Sequence, residues 1–263
     1  MNEDASRALI GGALALALVI AARTRRTLTL DGALVAAVLG TLSAAAGWSW
    51  AILLVAFFLS GTLLSRIGEE RKIANTAGFA AKGGERDAFQ VLANGGIFGL
   101  LAGASLLVPG ESWIVLATGA IAASTSDTWA TEVGTLVSGG TRSIVTFQRV
   151  HAGTSGGVSA FGTLAAFAGA VFMSAVALAV GLPGTAACAA LAGGIGGSLL
   201  DSALGATLQS RRRCPRCGTE TERMIHTCGE TTTHERGLRW LDNDGVNALA
   251  TLGGAAFGAL CLL

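Results

Sequence analysis

Charge is what this chain has least of. Only 13% of its 263 residues are Asp, Glu, Lys or Arg, against 51% hydrophobic residues and 38 glycines, and its mean hydropathy is positive. So little charge cannot cover an ordinary water-facing surface, which excludes a soluble domain of average composition and leaves an integral membrane protein. A basic opening segment with a small-residue cleavage site is also missing. Met1 is followed by Asn2, Glu3 and Asp4, so the first apolar run is expected to remain as a span. A third absence is local: the connections around Gly47-Trp48, Pro109 to Glu111 and Gly181 to Gly184 hold neither Lys nor Arg.

What is present is a series of apolar runs, at about residues 6–22, 30–46, 48–65, 89–108, 112–133, 157–181, 185–208 and 244–263. Each approaches the roughly 17 to 25 residues that cross a bilayer as helix. The pattern predicts an all-α polytopic membrane protein of about eight transmembrane helices in a single domain, 1–263, with a cytoplasmic Cys/His loop at 210–240. Residues 30–65 could instead form one broken or re-entrant element, giving seven spans. Apart from Arg7, the 18 basic residues fall in alternate connections: Arg23 to Arg26, Arg66 to Arg86, Arg142 to Arg149, and seven from Arg211 to Arg239. The positive-inside rule makes these cytoplasmic and puts both termini outside, in a multi-pass protein of the cell (inner) membrane.

Against this background the stretch Ala123 to Gly134 stands out, because it sets Asp127 and Glu132 in an apolar run. A carboxylate at bilayer depth costs roughly 2.5 to 3.5 kcal/mol or more unless paired, hydrated or bound to a cation. Asp201, about 15 Å before Arg211 at 1.5 Å per helical residue, Asn94, Asp244 and Asn247 fall at a similar cytoplasmic depth. An internal echo links two of these segments. Gly119, Ile121, Ser124 and Asp127 match Gly193, Ile195, Ser198 and Asp201 at identical spacing, which suggests a parallel repeat of helical hairpins. In each copy the serine precedes the aspartate by one turn.

Three further segments carry chemistry. The glycine-rich stretch Gly153 to Ser159, with Thr154, Gly156 and Gly157, opens a span at the cytoplasmic side and is either a phosphate site of exposed amides or a turn for tight packing. Lys82 and Arg86 precede another span and could bind phosphates or belong to a solvated loop. Cys214, Cys217 and Cys228, with His226 or His234 as a fourth ligand, have a zinc-site spacing, in a compartment too reducing for a disulfide. Cys188 and Cys261 lie in apolar runs and are expected to be packing residues.

Four blocks, Asp127 to Gly134, Gly153 to Ser159, Gly197 to Thr207 and Trp240 to Asn247, resemble in order the signature blocks of the polytopic membrane family called domain of unknown function ninety-two. Ser155 stands where that pattern has asparagine, and Gly245 where it has alanine. Plant members of the family are phytyl-phosphate kinases, and phytol and dolichol kinases and phosphatidate cytidylyltransferases are more distantly similar. The resemblance implies a lipid phosphotransferase that uses a nucleoside triphosphate, CTP by expectation, to phosphorylate a prenyl monophosphate or related isoprenoid. Asp127, Asp201, Asp244 and Asn247 would be catalytic; Asp127, Glu132, Asp201 and Asp244 would hold Mg²⁺; Lys82, Arg86, Asn94, Ser124, Thr154, Gly156, Gly157 and Ser198 would bind substrate phosphates. The expected partners are the isoprenoid, the nucleotide and membrane lipids, with no nucleic acid; a homo-oligomer is open. A cation-coupled transporter using the same carboxylates is the alternative, and a zinc-held scaffold a third.

Overall fold

The computed structural model describes residues 3–76, 84–137 and 139–263. Every apolar run forms a helix: α1 (Glu3–Thr24), α2 (Leu30–Ala46), α3 (Trp48–Arg66), then, after a short polar helix α4 (Glu69–Thr76), α5 (Ala88–Leu107), α6 (Ser112–Leu136), α7 (Ala160–Ala179), α8 (Gly184–Thr207) and α9 (Asn243–Ala259). Among the described residues six helices are long and apolar enough to cross a membrane, α9 being counted with the 3-10 turn Leu260–Leu262 that continues it; α2, at 17 residues, is shorter. The hydroxyls and acids of Ser124 to Glu132 dilute the hydropathy of α6, which is not among the six. It has no need to face lipid, because α3, α5, α7, α8 and α9 pack around it. Residues 30–65 form two helices, α2 and α3, separated at Gly47, whose φ is +151°.

Local chemistry sets the helix starts. Thr29 caps α2 through Gly32, Asp87 and Gln90 form a reciprocal capping box on α5, Ser159 caps α7 and Asp242 caps α9. Each side-chain oxygen takes an amide that the first helical turn leaves without an intrahelical partner. The connections gather at two ends. At the end poor in basic residues, Ser49 Oγ donates to the Val180 carbonyl at 3.2 Å, joining the α2–α3 and α7–α8 connections. At the basic end, α4 lies against the close of α6, where Asn75 Nδ2 donates to the Thr135 carbonyl at 2.8 Å.

The α6, α8 and α9 helices meet backbone to backbone. A Cβ on Gly193 would lie 2.5 Å from the Gly119 Cα and 2.6 Å from the Gly254 carbonyl, and one on Gly197 would lie 2.4 Å from the Ala123 Cβ. Gly119 faces Gly193 and Ala123 faces Gly197, so the two echoing segments lie side by side, parallel and in register. Small residues permit this approach, which in lipid replaces the hydrophobic effect as the source of helix association. A larger-residue cluster, with Trp50 edge-on to Phe98 at 5.5 Å, fills the contact among α3, α5, α6, α7 and α8.

Two small antiparallel sheets lie at the basic end. One pairs β1 (Arg142–Ser143) with β2 (Gly157–Val158); the other, β3 (Arg211–Arg213), β4 (Glu220–Thr221) and β5 (Thr233–Arg236), has β3 in the middle. The connection expected as a loop at 210–240 is therefore a folded β module. Cys188 and Cys261 are not the packing residues expected from their apolar surroundings: they form a disulfide with Cα atoms 6.1 Å apart. Spacing could not reveal it, because it requires knowing that the first turn of α8 meets the 3-10 turn Leu260–Leu262 that ends the chain.

Candidate functional site

A cavity of about 1020 Å³ opens at the basic end. Its wall takes residues from all four basic connections and from the ends of the helices beside them, including Arg25, Arg66, Arg86, Thr154, Glu222 and Asp244. Residues more than 200 positions apart thus share one polar chamber, as the depth comparison led one to expect.

At its inner wall Asp127 on α6 and Asp201 on α8 meet within hydrogen-bonding range. Their approach follows from the register that brings Gly119 onto Gly193. Asp201 Oδ2 is shut off from solvent and, among the described residues, has no hydrogen-bond partner. A buried carboxylate oxygen left unmatched is costly, and facing carboxylates suit a hard divalent cation that prefers oxygen ligands. Asp244, Asn247, Asn94 and Ser198 join the same wall. Ser124 does not line the cavity: its hydroxyl donates at 2.6 Å to the Asn94 carbonyl and ties α6 to α5. The two serines of the echo thus do different work.

Glu132 lines the cavity but is engaged by a residue that the sequence reading passed over. Lys72 of α4, itself buried, donates to Glu132 Oε2 at 2.6 Å, to the Leu64 carbonyl at 2.5 Å and to the Ser65 carbonyl at 3.3 Å. One ammonium thus neutralises Glu132 and satisfies carbonyls at the end of α3, a position where positive charge is favoured. The only prior signal was a short amphipathic segment hidden among polar residues. Arg86 also faces the cavity, close enough to Glu132 to feel its charge. Among the described residues its guanidinium makes no hydrogen bond. Lys82 lies outside the described residues.

The glycine-rich stretch is a turn that leads into β2 and, through the Ser159 cap, into α7. Gly153 and Gly156 have φ of +80° and +74°, and a Cβ on Gly156 would lie 2.4 Å from the Ala206 backbone nitrogen, so only glycine fits against the end of α8. The Thr154 amide is spent on the His151 carbonyl, that of Gly157 on the Thr154 carbonyl, and that of Gly162 on Ser159 Oγ. The loop offers fewer bare amides than its glycine count suggests. Ser155 is held from the β module: its hydroxyl donates to Glu222, and its carbonyl accepts from Arg211. Gln209 Nε2 donates to the same Glu222 carboxylate at 2.9 Å.

Within that module Cys214, Cys217, His226 and Cys228 bring their ligand atoms within 4.8 Å of one another. The neighbouring His226 ring holds the Cys228 thiol down at about 6, whereas hydrogen bonding with Cys228 pushes the Cys217 thiol up to about 11. His234 is not part of this group. It sits on β5 opposite Arg212, with Nε2 buried and unpartnered among the described residues.

A second cavity, of about 590 Å³, lies among α1, α2, α3 and α5 and is almost wholly apolar, lined by residues such as Leu14, Leu18, Ala36, Ala51, Val55 and Phe58. Arg86, Gln90, Asn94 and Thr128 line it as well as the polar cavity. Nothing in the run of small and apolar residues distinguished this chamber beforehand.

The sequence profile described as Integral membrane protein DUF92 matches residues 13–255. Protein PGR of Arabidopsis thaliana is 34% identical over 256 residues, which cover 87% of this chain and 86% of the relative. An uncharacterized membrane protein of Methanocaldococcus jannaschii is 34% identical over 221 residues, 81% of this chain and 76% of its own. One of Synechocystis is 34% identical over 220 residues, 81% and 74% respectively. No solved structure matches.

Proposed function

The chain belongs to the integral membrane DUF92 family, and from that premise we propose that it is a phosphotransferase that moves the terminal phosphoryl group of a nucleoside triphosphate to an isoprenoid monophosphate at the cytoplasmic face. The carrying observation is the meeting of a charged cavity and an apolar chamber at Arg86, Gln90, Asn94 and Thr128. That boundary matches an amphiphile with one anionic head and one long apolar chain. The chain would lie among α1, α2, α3 and α5, and its phosphate would rest against Arg86, whose planar guanidinium suits phosphate oxygens.

Facing that head group, Asp127 and Asp201, with Asp244 beside them, would hold Mg²⁺, which when bound neutralises phosphate oxygens of the nucleotide. The stranded Oδ2 of Asp201 fits such a ligand. In the transfer, an oxygen of the acceptor phosphate forms a bond to the terminal phosphorus, and the bond from that phosphorus to the bridging oxygen breaks. The nucleoside diphosphate leaves with the electron pair. Positioning and charge neutralisation are the main requirements of such a step, so the protein needs no covalent nucleophile. Thr154, Ser198, Asn247 and the basic rim residues would orient the nucleotide.

The distribution of cysteines supports the proposed orientation. The free thiols sit at the basic end and the Cys188–Cys261 disulfide at the other, as expected if the basic end faces a reducing cytoplasm. A transporter is less well supported, because toward the disulfide end α6 is packed with Ile114, Val115, Ala117 and Ile121. Between its start and Asp127, α6 carries no acidic or amide side chain that would mark a path to that end.

The test supplies labelled CTP or ATP and Mg²⁺ to purified protein in detergent with a panel of prenyl alcohols and prenyl monophosphates. Label should appear in a prenyl diphosphate. Label in the alcohol series alone would move the assignment to a prenyl alcohol kinase, and no lipid labelling with any member of the panel would reject the phosphotransferase.

A further inference from the structure

The β module between α8 and α9 has little apolar packing to hold it together. Across its strands and turns the buried residues are mostly polar, Arg211, Thr221 and Thr232, with Cys214 the exception, whereas Met224 and Ile225 are exposed. A three-stranded sheet this small, without an apolar core, normally needs a covalent or metal staple. The four-ligand cluster is the only such staple among the described residues of the module.

We propose that Cys214, Cys217, His226 and Cys228 bind one Zn²⁺, and that the metal, by fixing the β module, holds the glycine-rich loop at the cavity rim. Three thiolates and one imidazole form a common closed structural zinc set. Cys214 Sγ and Cys228 Sγ lie 3.6 Å apart, close to the roughly 3.8 Å that tetrahedral geometry with zinc–sulfur bonds of about 2.3 Å requires. The Cys217 amide donates to Cys214 Sγ at 3.4 Å, a contact that favours a charged sulfur. His226 Nδ1 faces Cys228 Sγ at 3.1 Å, and its Nε2 lies 3.2 Å from the Thr219 hydroxyl. Nδ1 is therefore the ligand atom, and Thr219 orients the ring from behind, the usual outer contact of a metal-bound histidine. A disulfide would use two thiols and leave the third, with the imidazole, without a purpose.

The second half of the proposal follows from what the module touches. Glu222, next to β4, accepts from the Ser155 hydroxyl and from Gln209, while Arg211 of β3 donates to the Ser155 carbonyl. Ser155 lies between the two left-handed glycines of the loop, and residues 153–159 wall the cavity. A four-liganded ion has no open position for substrate, so its influence on the cavity passes through Glu222 and Arg211. The zinc assignment does not depend on the reaction proposed above.

Elemental analysis of full-length protein purified without chelator should give one zinc per chain, and the double variant Cys214→Ser, Cys217→Ser should lose it. Cys217→His, which keeps a ligand, should retain it, so a folding failure of the serine variant does not decide the matter. Absence of metal, a disulfide among the three cysteines, or iron in place of zinc would overturn the assignment. For the coupling, hydrogen exchange read at residues 153–159 and 211–236 should accelerate in both segments when zinc is stripped. In Glu222→Gln, zinc should stay at one per chain while only residues 153–159 exchange faster. If zinc removal speeds 211–236 and leaves 153–159 unchanged, the metal does not hold the loop.

Discussion

The helices around α6 fall into two regions built on different contacts. On one side α6, α8 and α9 touch through glycines whose missing Cβ atoms would strike backbone, such as Gly119 against the Gly254 carbonyl. On the other, α2 and α5 touch through side-chain ends, as where Gly99 meets the tip of Leu39, and α1, α2, α3 and α5 enclose an apolar chamber. Backbone contacts cannot relax by changing rotamer, whereas side-chain ends can. The tight region therefore places two carboxylates opposite each other against their electrostatic preference, and the open region leaves room for a guest of variable shape. Rigid placement of charge beside adaptable apolar space suits a reaction on the head group of a lipid.

The largest effect expected from breaking this division is at the charge pair. Asp127→Asn and Asp201→Asn keep side-chain size and remove a charge, so phosphoryl transfer should fall about a hundredfold or more, as for loss of a group aimed at developing charge. Without ligand, each variant should melt no lower than the parent, because losing one charge relieves the repulsion between two facing buried carboxylates. Added Mg²⁺ and nucleotide should then stabilise the variants less than the parent. Early melting of both variants, with ligand stabilisation equal to that of the parent, would show that the aspartates are structural.

Next in size is the packing itself. Gly193→Ala places a Cβ against the Gly119 Cα and two carbonyls and should cost about 3 kcal/mol, the upper part of the usual range for overpacking. In the open region Gly103, with nothing within 4 Å of its added Cβ, should accept alanine with a gain of up to about 1 kcal/mol from helix propensity. Denaturation of both variants in detergent gives the comparison directly. Equal losses would mean that the two regions are packed alike.

The chamber offers a smaller and more selective test. Ala51→Phe should leave the charged cavity alone and shorten the space for an apolar chain, raising KM roughly tenfold for a long prenyl phosphate and little for a short one, the scale of discrimination typical of apolar pockets. An equal rise for both lengths would place the chain elsewhere.

How much of this was legible in the sequence follows the same division. The helices could be read because lipid permits only backbone-satisfied spans and the basic connections mark one end. Asp127 and Asp201 could be read because charge in an apolar run is conspicuous, and the echo that joins them proves to be the register of two parallel helices. Lys72, Glu222 and Arg211 could not, because ordinary charged residues in polar connections become meaningful only when the fold brings them to Glu132 or Ser155. Ser124 misled for a related reason: spacing put it one turn before Asp127, but the neighbouring helix supplied a closer acceptor in the Asn94 carbonyl. The apolar chamber was invisible because an unfilled space leaves no residue to mark it.

The smallest expected effect concerns the seam between the regions. Trp129 of α6 donates from Nε1 to Ser60 Oγ on α3 at 3.3 Å and stacks on Phe172 of α7 at 5.3 Å. Trp129→Phe keeps a ring for the stack and loses one hydrogen bond. Ser60 is not stranded by that loss, since its hydroxyl already donates to the Phe57 carbonyl at 3.1 Å. The cost should therefore be about 0.5 to 1 kcal/mol, against about 3 to 5 kcal/mol for Trp129→Ala, which empties the site. Because Trp129 adjoins Thr128, which borders both cavities, the phenylalanine variant should also leave chain-length preference unchanged. Denaturation midpoints of the two variants decide the point: if phenylalanine costs as much as alanine, the polar contact to α3 rather than the ring stack joins the regions, and the open side is held more firmly to α6 than its side-chain contacts imply.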